Sequence, residues 1–224
     1  MSIDPFASIS RRRLLTGMTI LTLAAAAAPR FSWAARGPVA AKLNAQQSAE
    51  LQRVEAYLNG IRTMRSRFLQ VAENGAQAEG DIYLSRPGLM RIEYDPPVPH
   101  LIVATGRLLV YHEKRLNQTS YIPLSSTLAG FLVRDPINLS GDITVTAFEQ
   151  QKGAVRASLV QTSEPEAGQI TLVFSDDPLQ LRQWSVIDGQ GSMTRISLLD
   201  PQFSIPLDKT LFEFQEPERE RFDR

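Results

Sequence analysis

Apolar residues recur through 46–61 at Ala49, Leu51, Val54, Tyr57, Leu58 and Ile61, the three-and-four spacing of a helix with one buried face. Asn59-Gly60 closes that pattern, so the spacing predicts an N-terminal amphipathic helix. Beyond it the period changes to two. Runs at 64–71, 78–85, 89–94, 100–104, 108–112 and 118–122 are separated by Asn74-Gly75, Pro87-Gly88, Pro96-Pro97, Thr105-Gly106 and residues 115–117. Short strands at about 8–12-residue intervals, joined by turn signals, predict an antiparallel meander. Residues 125–133 break the alternation: Ser125, Ser126 and Thr127 can cap a short helix that puts Leu128, Phe131 and Leu132 on one face. A second series follows at 143–150, 155–162, 169–175, 181–187 and 193–199, punctuated by Gly153 and by turns at 166–168, 176–178 and 188–191. Eleven candidate strands with two or three short helices predict a mainly β domain. The charged stretch 213–224 is expected to be a solvated surface, frayed or at an exposed edge.

The first 34 residues follow another logic. Ser10-Arg11-Arg12-Arg13-Leu14-Leu15 opens an apolar run to Ala28, and Pro29-Arg30 and the small-residue site Ser32-Trp33-Ala34 follow it. This is the layout of a cleavable export signal. The run, about 15 residues and rich in Ala and Thr, falls short of the roughly 20 that a membrane-spanning helix needs. Ser-Arg-Arg-x-Leu-Leu resembles a twin-arginine signal, and the alternative is a Sec signal with three basic residues. On either reading residues 1–34 are an address, the mature chain begins near Ala35 in the bacterial periplasm, and 35–224 forms one domain, since no Ser/Gly linker divides it. Cleavage removes Arg11, Arg12, Arg13, Arg30 and Asp4, turning the balance of 24 basic and 24 acidic residues into an excess of three acidic ones.

Composition narrows the chemistry. The even charge balance argues against a nucleic-acid partner, which normally demands an excess of Lys and Arg on one face. With no cysteine, the chain has no disulfide, thiolate metal ligand, thiol nucleophile or lipid-bearing cysteine. His100 and His112 are the only histidines, and neither a metal site nor a cofactor is expected. No G-x-S-x-G, P-loop, G-x-G-x-x-G or H-E-x-x-H pattern occurs. Asp176-Asp177 stands beside Pro178 and reads as a turn, and His112 follows an apolar run and reads as a strand histidine. The protein is expected not to be an enzyme.

Residues 80–95 carry the most information. Ile82, Leu84 and Arg86 share a parity on one strand, and Met90, Ile92 and Tyr94 share one on the next, across the Pro87-Gly88 turn. If Ile82 and Leu84 face inward, so does Arg86, which then needs acceptors for its five donors. Periodicity alone leaves Arg86 either there or exposed at a strand end.

Gly80-Asp81-x-Tyr-Leu, Arg86-Pro87-Gly88-x-Met-Arg91-x-Glu-Tyr94, Pro97, Thr105-Gly106-x-Leu-Leu-x-Tyr111 and Leu116-Asn117-Gln118 together resemble the LolA family of periplasmic lipoprotein carriers. The match is specific over 64–122 and holds in outline beyond. The resemblance implies an incomplete antiparallel β-barrel of about 11 strands, covered by a lid of short helices over an apolar cavity for acyl chains. It implies that Arg86 latches the lid by hydrogen-bonding the backbone of the 125–133 segment. Cavity candidates are Phe68, Ile82, Leu84, Met90, Ile92, Tyr94, Leu109, Tyr111, Leu128, Phe131 and Phe174, each of which could equally be dry core. Met90 stands where many carriers have phenylalanine, and its flexible thioether fills an irregular space less rigidly than a ring.

The implied partners are triacylated lipoproteins, an inner-membrane ABC transporter of the LolCDE type and an outer-membrane receptor such as LolB, with the carrier a monomer. The missing cysteine separates the chain from LolB itself, which is lipid-anchored. Two other readings stand beside this one: a lipoprotein-sensing or lipid-binding regulator on the same scaffold, like part of RseB, and a periplasmic hydrolase with an unrecognised site. Turnover of ester substrates separates the last from a carrier.

Overall fold

The computed structural model describes residues 38–216; the expected signal segment 1–34 and residues 217–224 lie outside the described residues. Asn44 starts helix α1, Ala45–Gly60, through a reciprocal capping box: its side chain accepts from the Gln47 amide, and the Gln47 side chain accepts from the Asn44 amide. The helix buries Val54 and Leu58.

Six strands follow, β1 Thr63–Ala72, β2 Gln77–Ser85, β3 Leu89–Tyr94, β4 His100–Thr105, β5 Leu108–Glu113 and β6 Gln118–Pro123. After a 3₁₀ turn at Leu124–Ser126 and the short helix α2, Leu128–Val133, come β7 Ile143–Gln151, β8 Ala154–Gln161, β9 Gly168–Ser175, β10 Gln180–Asp188 and β11 Met193–Phe203. The eleven strands form one sheet in the order β6-β5-β4-β3-β2-β1-β11-β10-β9-β8-β7, every neighbouring pair antiparallel. The sheet is open, with β6 and β7 as its two edges. This order explains the lid. The chain leaves one edge at β6 and must rejoin the sheet at the other, so 124–142 is an unavoidable crossover, and it packs on the inner face.

Alternation decides which side chains meet there. Met64 and Phe68 on β1, Ile82 and Leu84 on β2, Met90 and Tyr94 on β3, Leu159 on β8 and Ile170, Leu172 and Phe174 on β9 join Val54 and Leu58 of α1 and Phe131, Leu132 and Val133 of α2 in one apolar cluster. Bulges between Arg65 and Arg67, Val145 and Ala147, and Leu181 and Gln183 shift the register and bend the strands around this core. Gly80 pairs with Phe68 across the ladder. A Cβ there would lie 2.1 Å from the Glu93 carbonyl oxygen and 2.8 Å from the Phe68 ring, so only glycine lets that ring lie flat on the sheet.

Two features differ from the sequence reading and one narrows it. β11 runs to Phe203 rather than stopping at 199, because Asp200 (φ 51°) and Pro201 form a bulge opposite β1 where the missing proline N–H costs no ladder bond. Of the three candidate caps before α2, Thr127 is the one used: its hydroxyl accepts from the Gly130 amide at 3.1 Å. The stretch 213–216 is neither frayed nor a strand; Phe214 packs on Leu101, Val103 and Val110 and lies against the His112 ring, following a 3₁₀ turn at Lys209–Phe212. It covers the outer face of β4 and β5, which is why β4 is buried on both faces from His100 to Ala104.

Candidate functional site

A helix end leaves its last carbonyls without amide partners, and two helix ends meet beside the β2–β3 turn. Arg86, the residue after β2, serves both. Its Nε donates to the Leu132 carbonyl of α2 at 2.9 Å, and its Nη1 donates to the carbonyls of Leu58, in the last turn of α1, and of Ile61 at 3.2 Å. Two residues on, the Gly88 amide donates to the Val133 carbonyl at 2.8 Å. The turn thus caps consecutive lid carbonyls, one with a guanidinium and one with a backbone amide. A cation at two helix C-termini also meets the negative ends of both dipoles.

Burial lowers the Arg86 pKa to about 10, with Asp135 opposing and Arg62 adding to that shift. The side chain remains charged at neutral pH. Asp135 is ion-paired to Arg62, so Arg86's own hydrogen bonds run to neutral carbonyls.

The lid is compact for a specific reason. A Cβ on Gly130 would lie 2.2 Å from the Leu124 carbonyl oxygen, so the first turn of α2 can fold back on the preceding 3₁₀ turn only with glycine there. The leading end is fixed by the Leu124 amide on the Arg107 carbonyl, 2.9 Å. A small pocket lined by Thr127, Phe131, Arg134, Ile143, Leu159 and Ile170 lies between the lid and the second half of the sheet.

Of the sequence candidates, Phe68, Ile82, Leu84, Met90, Tyr94, Leu109, Phe131 and Phe174 are buried in the inner apolar cluster, with Ile92 and Tyr111 partly buried against it. The Leu128 side chain lies outside the described residues. Two candidates carry polar chemistry. The Tyr94 hydroxyl donates to Gln70 Oε1 at 2.7 Å, and the Tyr111 hydroxyl bonds His100 Nδ1 at 2.9 Å. Tyr94 stacks edge-on with both Phe68 and His100. The inner face of the first half-sheet therefore runs from Arg86 at the lid end, across an apolar stretch, to a buried polar group at the other end. Burial pushes the Tyr94 hydroxyl pKa well up.

The sequence reading did not single out the residues that hold the lid's trailing end. Asn59 pairs with the Ile137 backbone twice, Nδ2 donating to its carbonyl and Oδ1 accepting from its amide, each at 2.8 Å. Glu55 accepts from the Leu139 amide at 2.6 Å. Ile137 and Leu139 are themselves core residues, and their alternation within Ile137-Asn138-Leu139 was the available signal. Among the described residues no group of three or more His, Asp or Glu side chains is placed to hold a metal ion, and no helix is long and apolar enough to cross a membrane.

Comparison with known proteins found the following similarities. An outer-membrane lipoprotein carrier protein of Pseudomonas aeruginosa is 27% identical over 184 residues, spanning 78% of this chain and 87% of its own. A protein of the same description from Azotobacter vinelandii is 27% identical over 191 residues, 80% of this chain and 91% of its own. The solved structure of a LolA superfamily protein from Nitrosomonas europaea aligns over 73% of this chain and 97% of that one, at 12% identity and a TM-score of 0.42. The family model described as outer membrane lipoprotein carrier protein LolA matches residues 59–215, from the Asn59 clamp to the residue after Phe214, and the chain belongs to that family.

Proposed function

We propose that this protein is a periplasmic, non-enzymatic carrier that shelters the acyl chains of triacylated lipoproteins between its lid and the inner face of its sheet. It takes them from an inner-membrane ABC transporter of the LolCDE type and delivers them to the outer membrane, where a receptor such as LolB accepts them. The observation that carries this reading is the lid: a short helix held over an apolar face by hydrogen bonds from Arg86 and Gly88 to neutral carbonyls.

The physical need is large. Each buried methylene is worth about 0.8 kcal/mol, so one chain of about 15 methylenes costs on the order of 12 kcal/mol to hold in water. A carrier has to match that shelter and still let go. Bonds of about 1–3 kcal/mol each, exchangeable as the chain enters or leaves, suit a lid that cycles without a reaction of its own. The transporter spends the ATP.

The test uses inner-membrane vesicles containing the transporter, ATP and a labelled triacylated lipoprotein. A soluble one-to-one complex that forms only with ATP and this protein is the expected result. Uptake of a free acyl probe without any lipoprotein complex would move the cargo to another lipid, and turnover of ester substrates would overturn the non-enzymatic reading.

A further inference from the structure

Helix α1 presents three neighbouring rows of side chains, each an i, i+4 pair, about 100° apart around its axis. The first row holds the sheet. Arg53 bonds the Asp176 carboxylate in the β9–β10 turn, and the Tyr57 hydroxyl accepts from the Leu181 amide of β10 at 3.0 Å while its ring meets Phe174 edge-on. The second row, Val54 and Leu58, is fully buried in the core. The third, Glu55 and Asn59, grips the backbone of Leu139 and Ile137 with three hydrogen bonds. One helix therefore joins the trailing end of the lid to the second half of the sheet.

The bonds that hold the lid helix itself come from elsewhere. Leu132 and Val133 are held by Arg86 and Gly88 of the β2–β3 turn, in the first half of the sheet. Two of Arg86's three bonds go to α1 and its C-cap, and only the Leu132 bond crosses to the lid. The bonds to Leu132 and Val133 are thus separate from those at 137–139; what else holds 128–134 is the burial of Phe131, Leu132 and Val133 and the Arg134–Asp142 ion pair.

We propose that Asn59, with Glu55, is a positioning residue that fixes the lid's pivot at Ile137, so that opening lifts 128–134 and leaves 137–139 seated on α1. The inference rests on the carrier reading for its purpose, since a fixed pivot returns the Leu132 carbonyl to the same guanidinium after each cycle. Its geometry stands apart from the cargo.

Amide hydrogen exchange read residue by residue tests it. The Gly88 amide reports the lid contact, and the Ile137 and Leu139 amides report the pivot. In ligand-free Arg86→Leu, and in the wild-type protein mixed with a dipalmitoyl lipopeptide, Gly88 should exchange at least about tenfold faster while Ile137 and Leu139 change by less than about twofold. Ile137 and Leu139 losing protection together with Gly88 would overturn the pivot. So would a Gly88 that keeps its protection in Arg86→Leu, because the lid would then have no motion to guide. Should Arg86→Leu not fold, the wild-type protein with lipopeptide gives the same readout. A lipopeptide that binds neither protein counts against the carrier reading alone, since the Arg86→Leu comparison needs no ligand.

Asn59→Ala separates positioning from mere support. It should speed exchange at Ile137 about tenfold without changing β1, β2, β9 or β10, and Asn59→Asp, which keeps the acceptor for the Ile137 amide but loses the donor to the Ile137 and Glu55 carbonyls, should recover only part of the protection. Faster exchange throughout the sheet in Asn59→Ala would assign the residue to the fold as a whole and overturn the proposal.

Discussion

Two arginines in different regions of the first half-sheet show how partner chemistry separates a fixed contact from a releasable one. On the outer face of β1 to β3, Arg67 meets Asp95 through two bonds, 3.0 and 2.5 Å, with Glu79 and Asp81 at 3.3 and 3.4 Å. At the inner end of β2, Arg86 bonds only backbone carbonyls. The environments move the two pKa values in opposite directions: hydrogen bonding to Asp95 raises that of Arg67, while burial lowers that of Arg86 to about 10. Arg67 has carboxylates around it and nothing to release. Arg86 has neutral acceptors on two helices, one anchored to the sheet and one on the crossover, and a neutral acceptor can be given up without stranding a second charge.

The largest expected effect is therefore at Arg86. Arg86→Leu removes the guanidinium donor to the Leu132 carbonyl, and a bond from a charged donor is worth about 1.5–3 kcal/mol. The closed lid should lose that amount, a shift of roughly 10- to 150-fold toward open forms. The sheet, whose ladder does not involve the Arg86 side chain, should stay folded by circular dichroism. Cargo should still bind, but delivery from the soluble complex to acceptor vesicles should fall by about tenfold or more. Undiminished delivery by a folded Arg86→Leu protein would place Arg86 in the same structural class as Arg67.

A smaller effect is expected at the other end of the inner face. Tyr94→Phe keeps the ring that packs on Phe68 but removes the donor to Gln70 Oε1, both residues being buried. Leaving that amide oxygen unpaired should cost about 1–3 kcal/mol of global stability, read as a lower urea midpoint with an unchanged slope. A midpoint equal to wild type would mean that water or a rearranged Gln70 replaces the hydroxyl, making that end of the face softer than the Arg86 end.

How much of this was legible in the sequence depends on how local each cause is. The strands were, because side-chain parity and Gly, Pro and Asn turns are written within a few residues. Arg86 was legible in part: its shared parity with Ile82 and Leu84 marks it as inward, but its acceptors come from residues 25 to 46 positions away. The Asn59 and Glu55 clamp was not, since each bonds backbone 78 or 84 residues distant and Asn59-Gly60 reads locally as nothing more than a helix end. Phe214 was hidden by its charged neighbours. The unbroken apolar run Leu101-Ile102-Val103-Ala104 was its counterpart signal, because a strand apolar on both faces needs a cover on each.

The smallest effect sharpens the comparison through pH. Arg67's hydrogen bonds hold the Asp95 pKa below its ordinary 3.8. A carboxyl depressed in the folded state stabilises the fold above its unfolded pKa, and that contribution is lost as pH falls through the folded value. Arg86 behaves oppositely: with a folded pKa near 10 against an ordinary 12.5, the unfolded chain holds more protons only between those values, so stability gains from its titration there and has no slope from it at lower pH. Acid unfolding of Arg67→Ala, followed by circular dichroism, should therefore begin at slightly higher pH than in wild type. The difference should shrink in about 1 M salt, where exposed charges are screened within roughly 3 Å. Its lipid uptake and delivery at neutral pH should be unchanged. Arg86→Leu should show the converse, impaired delivery from pH 5 to 8 with an acid limb of wild-type shape. If Arg67→Ala impairs delivery as well, the outer carboxylate cluster is coupled to the lid through β2, and the division between a fixed and a releasable arginine fails at the strand that separates them.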